Sequence, residues 1–69
     1  MNTFAKRLKE LRLAKGMTLK EVAGQFGITL GAYAHYEQGI REPSYDLLAR
    51  ICDFFDVSSD YLIGRTDIY

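Results

Sequence analysis

Two helical segments in this chain are separated by only two residues, Gly27 and Ile28, and that break constrains the fold more than any other feature. The first segment opens with Thr18 as a cap. Glu21 completes a capping box with it, and Met17 and Val22 stand at the spacing of a hydrophobic staple. The segment ends by Phe26. Gly27 can take the left-handed conformation that stops a helix, and Thr29 then caps a further segment that runs to about Gln38, before Gly39. Helices joined so tightly must cross steeply, and the residue sizes suit such a crossing. Ala23 sits where the helices approach and a longer side chain would separate them, while Val22, Phe26, Ile28, Tyr33 and Tyr36 supply inward apolar positions.

The rest of the chain has the same helical period, and nothing alternates with a period of two for long enough to make a strand. The expected class is all-α. Phe4, Leu8 and Leu11 form one stripe on a first helix that starts near Thr3 and stops at Gly16, with Arg12 and Lys15 suiting its C-terminal dipole. Ser44 caps a fourth helix with the stripe Leu48, Ile51, Cys52 and Phe55. Ser58 caps a short fifth, with Val57 and Leu62 at staple spacing and Gly64 closing it. Residues 65–69 read as a tail. With 69 residues the chain can bury one core, not two.

Composition excludes several classes. Cys52 is the only cysteine and His35 the only histidine, so an internal disulfide is impossible and a Cys/His zinc site lacks ligands. No cofactor or metal is expected. No stretch approaches the roughly 18 apolar residues of a membrane span, and the N-terminal residues are charged, so the expected location is cytoplasmic with no membrane partner. The formal net charge is zero, yet residues 1–41 carry seven basic and three acidic residues, a net +4, against two and six in residues 42–69, a net −4. The chain is an electrostatic dipole, basic in its first part.

The tight turn between capped helices, with a small residue at the crossing, is the helix-turn-helix pattern. Here the chain resembles the phage repressor and Cro class of helix-turn-helix regulators, also called the xenobiotic-response-element type. The resemblance covers nearly the whole chain and rests on Arg12, MTLKEVAGQFGIT over residues 17–29, YEQG at 36–39, REPS at 41–44 and VSSDYLIGRTD at 57–67. It implies a compact five-helix, lambda-repressor-like domain over residues 1–64, its helix-turn-helix at 18–38, whose second helix enters the major groove of double-stranded DNA. It also implies a sequence-specific transcriptional regulator, a repressor of phage, prophage or mobile-element type, bound as a homodimer to a palindromic operator. By position, the resemblance places Thr29, Leu30, Gly31, Ala32 and His35 at base edges, and Thr18, Leu19, Lys20, Gln38 and Arg41 near phosphates. It pairs Arg12 with Glu37 as a structural salt bridge. Leu30, Gly31 and Ala32 depart from the polar residues usual at the start of the reading helix, which leaves Thr29 and His35 as its hydrogen-bonding groups.

Other readings of the same residues stand beside these. His35 is a base reader, a solvated surface residue or a phosphate contact, and Lys6, Arg7 and Lys9 are a solvated face or phosphate contacts. Cys52, on the inner stripe, reads as a small buried hydrophobe. Gly24-Gln25-Phe26-Gly27 matches the bare GxxG of KH domains, but no strands flank it. No nucleophile with a base, carboxylate pair or phosphate loop is present, so neither an enzyme nor a small-molecule substrate is expected. Leu47, Phe54, Ile63, Ile68 and Tyr69 are surplus apolar residues and therefore candidates for a dimer interface. The alternative function is a protein-interaction module, a partner regulator or antitoxin-like domain whose apolar third helix meets a protein and reads DNA weakly.

Overall fold

The computed structural model describes residues 2–69, which form α1 (Thr3–Ala14), α2 (Leu19–Phe26), α3 (Leu30–Glu37), α4 (Tyr45–Phe55) and α5 (Ser59–Leu62). No strand occurs among the described residues. Every helix begins on a side-chain cap. Asn2, Thr18, Thr29, Ser44 and Ser58 accept backbone N–H bonds from Ala5, Glu21, Ala32, Leu47 and Tyr61 in turn. The Asn2 cap had no counterpart in the sequence reading.

Between α2 and α3, Gly27 has φ +65°, and the Ile28 N–H closes back on the Ala23 carbonyl at 3.1 Å. That left-handed residue ends α2 within one turn of the Thr29 cap, so α3 must cross α2 directly. The stop after α4 is also left-handed, but the residue there is Asp56 at φ +56°. Aspartate is among the few non-glycine residues that tolerate this region.

Leu8, Val22, Tyr33, Ile51 and Leu62 are the fully buried centre, drawn from all five helices. Around them lie Phe4, Ala23, Phe26, Tyr36, Leu47, Cys52 and Phe55. Two apolar stripes differ from the sequence expectation. On α1, Leu11 lies at the edge while Arg12 is buried. On α4, Leu47 joins Ile51, Cys52 and Phe55 inside, and Leu48 takes the edge. Leu47 and Leu48 are 100° apart on one wide apolar face, so the placement of the neighbouring helices decides which goes deeper.

Residues 65–69 are also not a free tail. The Arg7 guanidinium on α1 donates to the carbonyls of Tyr61 and Thr66 and, at 2.7 Å, to the Asp67 carboxylate. It stacks 4.3 Å from the Tyr61 ring centre, and Tyr69 packs on Tyr61 from beyond, with 4.8 Å between centroids. Arg7 is therefore occupied in holding this segment to α1. It is neither a solvated side chain nor a free phosphate contact.

Candidate nucleic-acid interface

The outward face of α3 exists because its inward face is fully committed. Tyr33 and Tyr36 are buried, and their rings meet edge to face at 6.4 Å. The same helix therefore turns the Thr29–Gly31 segment to solvent: Thr29 and Gly31 are exposed, and Leu30 is 48% exposed. Ala32 and His35 are half-buried. The Thr29 hydroxyl is engaged as the cap, accepting from the Ala32 N–H at 3.1 Å. A Cβ at Gly31 would meet nothing within 4 Å outside its own helix turn.

One ion pair sets the position of α3 from behind. Arg12 of α1 donates through Nε and Nη2 to the two oxygens of Glu37, at 2.8 and 3.1 Å, and through Nη1 to the Met17 carbonyl at 2.9 Å. The bond to Glu37 raises the Arg12 pKa above its ordinary value against the opposing effect of burial. One guanidinium thus joins α1, the loop before α2 and the end of α3. The Tyr33 hydroxyl faces Glu37 without forming a hydrogen bond of good geometry, and burial first, then the carboxylate, pushes its pKa well above the usual phenol range.

At the start of α2 the capping box is complete: the Thr18 N–H donates to Glu21 Oε1 at 2.8 Å and the Thr18 hydroxyl accepts from the Glu21 N–H at 3.1 Å. The bond from the Thr18 backbone holds the Glu21 carboxyl below its ordinary range. Beyond α3, the backbone N–H groups of Ile40 and Arg41 both donate to the His35 carbonyl, at 3.1 and 3.4 Å, which ties the Arg41 loop to the end of that helix.

A helix-turn-helix family profile matches residues 8–62, the stretch that contains this ion pair, the capping box and both crossing helices. The chain belongs to the phage repressor and Cro class of helix-turn-helix proteins. Similar proteins include the HTH-type transcriptional regulator AnsR of Bacillus subtilis, 46% identical over 59 residues, covering 86% of this chain and 51% of AnsR. ImmR, another HTH-type transcriptional regulator of that organism, is 36% identical over 66 residues, 96% of this chain and 52% of ImmR. The cryptic phage CTXphi transcriptional repressor RstR of Vibrio cholerae is 37% identical over 59 residues, 86% of this chain and 53% of RstR. The chain spans about half the length of the curated relatives it matches.

In this helix-turn-helix chain the expected phosphate group is partly brought together. Leu19 and Gln38, from opposite ends of the two helices, line one cleft with Lys9, Arg12, Ala34 and Glu37. Leu19 is half-buried and packed against the core. Thr18, Lys20, Gln38 and Arg41 are exposed, and among the described residues neither Lys20 nor Arg41 enters an ion pair.

The dimer candidates divide. Leu47 lies in the core, and Phe54 packs edge to face on Phe26 and Phe55 with the Lys15 ammonium 5.0 Å over its ring, so both are used within the chain. Ile63, Ile68 and Tyr69 are exposed, and Tyr45, which the sequence reading did not single out, is 90% exposed. Tyr45 and Ile63 border a single cleft with Phe4, Pro43 and Leu48. Tyr45 directly follows the Ser44 cap, where an apolar residue carries no periodic signal of its own.

Proposed function

We propose that this chain is a sequence-specific DNA-binding transcriptional regulator, a repressor of phage, prophage or mobile-element type, with residues 1–64 as its DNA-binding domain. The carrying observation is the exposed Thr29 cap with Leu30 and Gly31 at the start of α3, held out by a packed inner face, in a chain whose exposed cations Lys20 and Arg41 enter no ion pair among the described residues. In a helix-turn-helix this is the turn that meets base edges. Thr29, Leu30, Gly31, Ala32 and His35 read bases, and Thr18, Leu19, Lys20, Gln38 and Arg41 track phosphates. Names such as transcriptional repressor RstR support the same role. The reading assigns it no catalytic step and places its action in the cytoplasm.

The proposed binding unit is a homodimer formed through Tyr45, Ile63, Ile68 and Tyr69, the large apolar residues exposed from the start of α4 onward. A two-fold pair sets its reading helices about 34–36 Å apart on a palindrome. Selection of binding sites from random duplexes at stated salt tests the whole reading. Enrichment of a palindromic sequence, with affinity falling steeply as salt rises, is the expected result. The absence of charged or amide side chains from residues 29–35 favours one other reading, a protein-interaction surface. Enrichment of no sequence, with binding indifferent to salt, would select it.

A further inference from the structure

Side-chain chemistry on the reading face limits which base edges it can discriminate. Specific recognition of guanine relies on Arg or Lys, and that of adenine on Asn or Gln, reaching paired atoms in the major groove. Residues 29–35 contain none of these. Glu37 has both carboxylate oxygens bonded to Arg12, and Thr29 spends one acceptor site on its own helix's Ala32 N–H, which leaves a single short hydroxyl there. His35 lies one turn from Gly31 and is the one polar side chain within the exposed part of α3 besides the Thr29 hydroxyl at its cap. What the first turn does present is the half-exposed Leu30 side chain, beside a glycine whose missing Cβ leaves open space. A leucine next to bare backbone allows the helix to approach closely and offers an apolar contact where a polar one is usual.

We infer that Leu30 selects the C5-methyl group of a pyrimidine in the major groove, so that this chain distinguishes its operator by methyl groups at the first turn of α3. It rests on the DNA-binding reading proposed above. A C5-methyl on a pyrimidine belongs to thymine or to 5-methylcytosine, and among the four standard bases thymine alone presents a methyl in the major groove. Burying it against Leu30 removes apolar surface from water on both sides, with about a three- to five-fold gain in affinity per methyl.

The test uses the half-site selected from random duplexes. Each thymine is replaced in turn by deoxyuridine, which deletes the methyl and nothing else, and each cytosine by 5-methylcytosine, which adds it. Wild-type protein is expected to bind about three- to five-fold more weakly when one or two thymines lose their methyl, and Leu30→Ala is expected to lose most of that difference. Circular dichroism shows whether Leu30→Ala keeps its fold. A sensitive position occupied by thymine identifies thymine as the source, whereas a selected cytosine whose methylation tightens binding identifies 5-methylcytosine. If the duplex binds tightly and with steep salt dependence, yet no methyl deletion or addition changes affinity, methyl reading is wrong while DNA binding stands. A methyl effect that Leu30→Ala retains in full overturns the assignment to Leu30. Failure to bind any duplex in a salt-dependent way removes the DNA-binding reading, and the inference with it.

Discussion

Arg12 and Glu37, 25 residues apart in sequence, face each other through two nearly parallel hydrogen bonds, with side chains only 11% and 6% exposed. Removing either partner leaves a buried charge alone. Arg12→Ala and Glu37→Ala are each expected to destabilise the fold by about 3 kcal/mol. The double variant should cost clearly less than the sum, with a coupling of about 1 kcal/mol or more. Urea unfolding of the four proteins measures this, and strict additivity would show that the two charges do not stabilise each other.

Arg7 makes a different kind of contact, because two of its three acceptors are backbone carbonyls and the third, the Asp67 side chain, is 96% exposed. An exposed carboxylate contributes about 0.5 kcal/mol or less. Charge-assisted bonds to carbonyls contribute more, about 1.5 kcal/mol each. Arg7→Ala should therefore release residues 65–69 and cost about 3 kcal/mol, whereas Asp67→Asn should leave the segment in place. Amide hydrogen exchange of residues 66–69 in both variants separates the two. Equal protection in Arg7→Ala would mean that the stacking of Tyr69 on Tyr61 holds the segment alone.

Tyr33 combines complete burial with a hydroxyl that has no hydrogen-bond partner. Such a group carries an uncompensated desolvation cost, so Tyr33→Phe is expected to be neutral or to stabilise by about 1 kcal/mol at neutral pH. The alkaline limb has a definite sign. Burial and the Glu37 carboxylate raise the folded-state pKa of Tyr33, so the stability associated with its proton is complete below about pH 10 and is lost as pH rises further and the unfolded chain ionises. Between about pH 10 and 12 the wild type should therefore lose stability faster than Tyr33→Phe, by up to about 1.4 kcal/mol per pH unit. Urea midpoints across that range give the comparison. Parallel curves would place the alkaline loss elsewhere.

On the proposed DNA face, Arg41 and His35 should separate by kind of effect. Arg41 is exposed and unpaired, so Arg41→Ala is expected to weaken all duplexes alike and to lower the salt slope by about 1. His35→Ala should instead flatten preference at particular base pairs, by about 1–3 kcal/mol at most. A panel of single-base operator changes read against both variants decides between them. A uniform loss for His35→Ala would make it a phosphate contact.

Helix starts were legible because a cap is a local device. Thr18 with Glu21, Thr29, Ser44 and Ser58 each satisfy backbone groups within three residues, so the short-range spacing alone places α2 to α5 and the break at Gly27. The Arg12–Glu37 pairing was legible only through family resemblance, since nothing local joins two residues on separate helices. The depth of Leu47 relative to Leu48, the burial of Arg12 in place of Leu11 and the capture of residues 65–69 by Arg7 could not be read from periodicity. A helical period defines an apolar face about 100° wide or more but not which edge of it a neighbouring helix will cover. Likewise a lysine or arginine on α1 has the same local signature whether it meets water, phosphate or a carbonyl brought in from nearly 60 residues away. Each choice depends on a different packed partner: α3 for Arg12, the helices around α4 for Leu47, and for Arg7 the contact of α5 with α1 that joins the two ends of the chain.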